Sequence, residues 1–194
     1  MTLITLVMAP NCYRINESKK GDNLSMEKRK GIVTKGGAPV TLIGSPVRVN
    51  APAPVFSALT KDGATFRLSE LEGKKVLISI ATSIDTSVCD LQTARFNEEA
   101  GRLDNVVIIS ISMDLPPALK RYCADRGIEN SLVLSDHKDA DFGLKYGFLM
   151  EEHRLLARGI VVIDEAGMVR YVEIVPEIAN APDYDKALAA LKEL

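Results

Sequence analysis

Cys89 lies in the stretch Thr82–Asp90, "TSIDTSVCD", with Thr86 three residues before it. The stretch follows an apolar, β-branched run, Lys75–Ala81 "KVLISIA", and opens a segment of helical pattern, "DLQTARFNEEAGRL". A cysteine where a buried strand gives way to a helix has one ingredient of a reactive thiolate, because unpaired N–H groups in a helix's first turn favour an anion. The helix alone is not sufficient. A free cysteine of pKa ~8.5 is only about 3% thiolate at pH 7. Reaching about 90% needs a pKa near ~6, a shift worth roughly 3.4 kcal/mol. A helix N-terminus supplies ~0.3–1 kcal/mol, up to about 2 in favourable geometry. The remainder must come from a cation or from hydrogen bonds.

Arg158, in "LLARGIVVID", offers the cation. An arginine against an apolar strand needs an anionic partner or a capping role. It can serve a thiolate, or it can cap its loop or pair with a carboxylate such as Asp85 or Asp90. Thr86 has two readings as well. Its hydroxyl can cap the helix, or it can face the sulfur and position a substrate oxygen. Cys123, 34 residues after Cys89, lies in "KRYCADRG" near the end of the next helix. Successive βα units bring their helices close. A disulfide needs Cα atoms within roughly 7 Å, so bonding between two such helices can require local unwinding. A buried core thiol is the commoner fate of such a cysteine.

Other chemistries find little support. His137 and His153 are the only histidines, and neither joins cysteine in a metal-binding cluster. There is no Cys-x-x-Cys pair. Gly36–Gly37 reads as a turn rather than a phosphate loop. "TSVCD" lacks the flanks of a cysteine protease, and no histidine stands out as its base. "DHKDAD" reads as solvated surface. The net charge of −2 over 194 residues gives no basic excess for nucleic acid. No apolar run reaches the length of a membrane span. Three cysteines, Cys12, Cys89 and Cys123, are too few for a secreted disulfide scaffold and suit a cytoplasmic chain.

The elements that must position these residues follow from pattern. Residues 1–25 are polar or aperiodic after a short apolar stretch, with no basic residue before it and no clear cleavage site after it. They are predicted to be a flexible extension or a mis-set start, carrying Cys12 with them. The domain is then residues 26–194. "GIVTKGGAPVTLIG" predicts a β-hairpin, and "SPVRVNAPAPVFSAL" an extended coil. "ATFRLSELEGK" predicts a short strand and a helical turn. "KVLISIA", "NVVIISIS" and "SLVLSD" predict buried strands, with a helix over Val88–Leu103 between the first two. Asp114 is placed to cap a helix through "PPALKRYCADRG" that Gly127 closes. "ADFGLKYG" predicts a short helix, "GIVVIDEAGMVRYVEIV" a strand pair, and "DYDKALAALKEL" a closing helix capped by Asp183. Unbroken apolar strands alternating with helices predict an α/β chain whose mixed central sheet is flanked by helices. The β-α-β-α-β-β-α order is that of a thioredoxin-like fold with an N-terminal β-hairpin.

The stretches "SIDTSVCDLQTARFNEEA", "ISMDLPPALKRYC", "LLARGIVVIDEAGMVRYVEIVPEI" and "PDYDKALAAL" resemble the peroxiredoxins, and among them the bacterial thiol peroxidase subgroup of atypical two-cysteine type. The resemblance runs from Gly31 to Leu194. It implies that Cys89 is the peroxidatic cysteine, Thr86 the active-site threonine, Arg158 the activating arginine and Cys123 the resolving cysteine of the same chain. It implies reduction of hydrogen peroxide or small organic hydroperoxides, recycling by thioredoxin, a homodimer, and no metal or organic cofactor. In that mechanism Cys89 becomes a sulfenic acid, which Cys123 converts to a disulfide.

Two positions depart from the family pattern. Thr82 stands where the motif has proline, and Ala94 where relatives often carry a basic residue. A peroxide sensor or redox relay would use the same cysteines. A non-catalytic binding module of this fold would make them structural.

Overall fold

The computed structural model describes residues 27–84, 96, 105–128 and 131–194. β1 (Lys28–Lys35) and β2 (Ala38–Ile43) form the predicted hairpin. Its turn is Gly36–Gly37, both at positive φ, where glycine carries no steric penalty. The Glu177 carboxylate accepts hydrogen bonds from both glycine amides and from Thr34 Oγ1, which tethers the hairpin to the far end of the chain. These bonds, Gly37 and then Thr34 foremost, pull its pKa down to about 2.

The remaining strands are β3 (Ser57–Thr60), β4 (Thr65–Arg67), β5 (Lys75–Ile80), β6 (Val106–Ser112), β7 (Leu132–Ser135), β8 (Leu149–Met150), β9 (Leu155–Leu156), β10 (Gly159–Ile163) and β11 (Val169–Ile174). The α-helices with described bounds are α1 (Pro116–Arg126), α2 (Asp141–Tyr146) and α3 (Tyr184–Lys192), and Leu68–Leu71 forms a short 3-10 turn. The larger sheet runs β11-β10-β5-β6-β7-β3-β4. β5, β6 and β7 pair in parallel, while β10 runs antiparallel to β5 and to β11. The sheet is mixed, as the late strand pair around the "DEAG" turn predicted.

Alternation along the central strands divides the core. Val76, Ile78, Ile80, Ile109, Ile111, Val161 and Ile163 face a cluster shared with the hairpin and with Phe56, Phe142 and Tyr146. Leu77, Ile108, Ile160 and Val162 face the opposite cluster, built with α3 and Phe96. A period of two with both sets apolar is the mark of strands covered on both faces. Phe96 is helical and fully buried; the rest of the helix predicted over Val88–Leu103 lies outside the described residues, as do residues 1–25. Gly159 opens β10 at a close approach, since a Cβ there would lie 2.1 Å from the Glu173 carbonyl oxygen.

Three local differences from the sequence reading have physical causes. The hairpin belongs to a second sheet, ordered β1-β2-β8-β9. Its strands β8 and β9 have two residues each, too few to show a period, and form by pairing with Leu42 and Ile43 and with each other. Ser57–Leu59, taken as coil, joins Thr60 in a strand because β7 and β4 lie on either side of it. Asp136, taken as surface, is 2% exposed. Its carboxylate accepts from the amides of Phe142 (3.0 Å) and Gly143 (2.8 Å) at the start of α2. Asp183 caps α3 as predicted, accepting from the Lys186 amide.

Burial pushes the Asp136 pKa up to about 6, against the pull of the two amides. The folded protein therefore holds a proton that the unfolded chain has already released. The group's favourable contribution is complete below pH ~4 and is lost as pH rises through about 6. Relative to Asp136→Asn, the native protein should lose about 3 kcal/mol of stability across that window. Urea unfolding of both proteins between pH 4 and 7 measures it.

Candidate active site

The carboxyl end of β5 is where the Cys89 stretch leaves the sheet, and such strand ends are where α/β sheets hold their ligands. Gly159 of β10 pairs with Ile80 of β5. One further step in that register sets Arg158 across from Ala81, next to Thr82. Arg158 is 2% exposed. Its Nε donates to the Ile178 carbonyl at 2.8 Å, which fixes the plane of the guanidinium. Its own carbonyl accepts from the Val175 amide. The sheet therefore delivers a permanently charged group to the strand end from which the Cys89 stretch departs.

Cys89 and Thr86 lie outside the described residues, with Asp85 and Asp90. The stretch is described as far as Ile84, and its base is held in two ways. Asp114, just beyond β6, accepts from Ser83 Oγ (2.9 Å), from the Ile84 amide (2.9 Å) and from Ser112 Oγ (2.8 Å). The Ile84 side chain packs in a cluster with Leu119, Cys123, Ile128 and Val133. The base of the Cys89 stretch thus rests against the residues that bury Cys123.

Cys123 is a free thiol, 4% exposed, near the end of α1. Burial raises its pKa; nearby Lys61 opposes this and Asp62 adds to it. In this position it is a neutral thiol, suited to wait rather than to attack. Its carbonyl accepts from the amides of Gly127 and Ile128, which close the helix.

Asp114 was expected to cap α1, and it does not. Leu115 is the N-cap and supplies no side-chain bond. The prolines at the first two helical positions set the start of the helix, so Asp114 falls one residue outside it. That spacing was the available signal for its other role. Its backbone carbonyl accepts from Ser135 Oγ at 2.5 Å. Ser135 has only one hydrogen to give, so the His137 Nδ1 at 2.8 Å must be the donor in their contact. His137 is thereby part of the frame below the site. No group of His, Cys, Asp and Glu fit to hold a metal occurs among the described residues. Thr82 is 7% exposed, and its hydroxyl has no hydrogen-bond partner among the described residues.

The redoxin family profile matches residues 48–188. A thiol peroxidase from Oceanobacillus iheyensis is 49% identical over 161 residues, covering 83% of this chain and 98% of that protein. A thiol peroxidase from Bacillus subtilis is 47% identical over 162 residues, covering 84% and 97%. Among solved structures, a peroxiredoxin-like protein from Aquifex aeolicus superposes with a TM-score of 0.78 at 37% identity, covering 83% of this chain and 95% of that one. A thiol peroxidase from Chromobacterium violaceum shares the fold, with a TM-score of 0.74 at 23% identity.

A buried hydroxyl without a partner costs about 1–3 kcal/mol. Thr82→Val replaces it with a methyl of similar size, so the variant should be more stable by about 1 kcal/mol in urea unfolding. A loss of stability would show that the hydroxyl has a partner outside the described residues.

Proposed function

Because the chain belongs to the thiol peroxidases of the redoxin family, we propose that Cys89 is its peroxide-reacting cysteine and Cys123 the cysteine that resolves it. The protein is a thiol-dependent peroxidase. The observation that carries the two-cysteine reading is the packing of Ile84, five residues before Cys89, in the cluster that buries Cys123.

The Cys89 thiolate attacks one oxygen of the peroxide. An S–O bond forms, the O–O bond breaks, and the departing oxygen takes a proton and leaves as water or an alcohol. Arg158 supports the thiolate with its charge, and Thr86 hydrogen-bonds the peroxide. The Cys123 sulfur then displaces hydroxide from the Cys89 sulfenic acid, its own proton completing a water, and an S–S bond remains. A dithiol reductant opens that bond by exchange. A buried, neutral Cys123 suits this order, because the cysteine that meets peroxide first must be the thiolate.

The finer assignments rest on the family resemblance. They are hydrogen peroxide and small organic hydroperoxides as substrates, thioredoxin as the reductant, a homodimer, and a cytoplasmic location. No described helix is long and apolar enough to cross a membrane. The same reading takes residues 26–194 as the catalytic domain and 1–25 as dispensable. Near-complete coverage of the Oceanobacillus relative by 161 residues supports this.

The test is peroxide consumption with thioredoxin, thioredoxin reductase and NADPH. Cys89→Ser and Cys123→Ser should both lose turnover. Cys123→Ser should still consume one equivalent of peroxide per chain, and Cys89→Ser none. Sustained turnover by Cys89→Ser would overturn the assignment. A removal of residues 1–25 should leave the rate of turnover unchanged.

A further inference from the structure

We propose that Asp114 is a positioning residue for the peroxide-reducing step, holding the base of the Cys89 stretch through Ser83 and Ile84. The proposal rests on the assignment of Cys89 as the peroxide-reacting thiol. Asp114 gathers three hydrogen bonds on one carboxylate, at 2.8–2.9 Å. Two come from the stretch itself, one of them from a backbone amide, so the carboxylate fixes the path of the chain and not only a side chain.

Asp114 is anchored in turn from several directions. Its amide donates to Ser112 Oγ (3.2 Å) at the end of β6. Its carbonyl holds Ser135 at the end of β7. It also precedes the helix that carries Cys123. One residue thus joins the ends of three parallel strands to the start of that helix. The alternative use of this side chain was to cap α1, worth about 1 kcal/mol to a helix. The helix goes without a side-chain cap, and the carboxylate serves the stretch instead. Its neighbour Ile84 is fixed as well, by burial at 8% exposure beside Leu119 and Cys123.

In-line attack on a peroxide tolerates little displacement of the sulfur, and a shift of ~1 Å can cost about 100-fold. Asp114 does not touch the reacting atoms. Its effect passes through the chain from Ile84 to Cys89. Loss of the anchor should therefore slow the attack on peroxide and leave the later exchange with the reductant unchanged.

The experiment compares the native chain with Asp114→Ala, Asp114→Asn, Ser83→Ala and Lys120→Ala. Rates are normalised to titrated thiol and to folded protein by thermal melting. Lys120 shares the helix but pairs with Asp62 on the exposed surface, so Lys120→Ala should match the native chain. Asp114→Ala should lower the second-order constant for peroxide by about 10- to 100-fold, with an unchanged KM for thioredoxin. Asp114→Asn keeps one accepting oxygen for the Ile84 amide and should lose less. Ser83→Ala should lose least. Should Asp114→Ala fail to fold, the milder pair carries the same test. A folded Asp114→Ala, or the milder pair in its place, with the native constant for peroxide would overturn the positioning role and leave the Cys89 assignment standing. A lower melting temperature with an unchanged constant per folded thiol would overturn it too. Turnover persisting in Cys89→Ser would overturn both.

Discussion

The pairing of β10 with β5 governs this molecule. Both strands are apolar on both faces, and each lies between two other strands of the sheet. Their backbone groups are committed to the ladder, and their side chains to packing. No chemistry fits in the middle of such a sheet. It is confined to strand ends, where the chain leaves the ladder. The antiparallel register brings the beginning of β10 to the end of β5. That crossing places a buried arginine beside the departure of a cysteine-bearing stretch.

A buried guanidinium is costly unless its surroundings satisfy it. Here the carbonyl of Ile178 takes the Nε hydrogen. That carbonyl comes from the segment after β11, the same segment in which Glu177 ties down the hairpin turn. One short stretch of chain therefore serves two distant parts. It steadies the arginine on one side and the N-terminal hairpin on the other. The requirement for glycine at position 159 belongs to the same design: β10 and β11 approach too closely for a side chain next to Arg158.

The sequence was readable where one interaction sets the pattern. The β5, β6 and β10 runs announced strands covered on both faces, and Gly36–Gly37 announced the hairpin. The cap of α3 by Asp183 needed only local spacing. Arg158 was conspicuous because a charge beside an apolar strand needs a reason. The parts that escaped notice depend on long-range contacts. β8 and β9 exist only because β2 is there to pair with. Asp136 looks like one acid in a charged run, and only the return of α2 buries it. Asp114 carried a local clue in the prolines after it, but its partners Ser83 and Ile84 are 31 and 30 residues away. No periodicity reports a bond across such a gap.

The closure of α1 sets a timescale. The Cys123 carbonyl receives the two amides that end the helix, so this cysteine belongs to the turn that frays most readily. Local unfolding in a folded protein takes from about a microsecond to about a second. Bringing this thiol out costs its packing against Leu119, Ile128 and Val133 as well as one turn of helix. The burial that keeps Cys123 neutral and idle at rest thus shares its range of timescales with enzyme turnovers of ~1–1,000 per second.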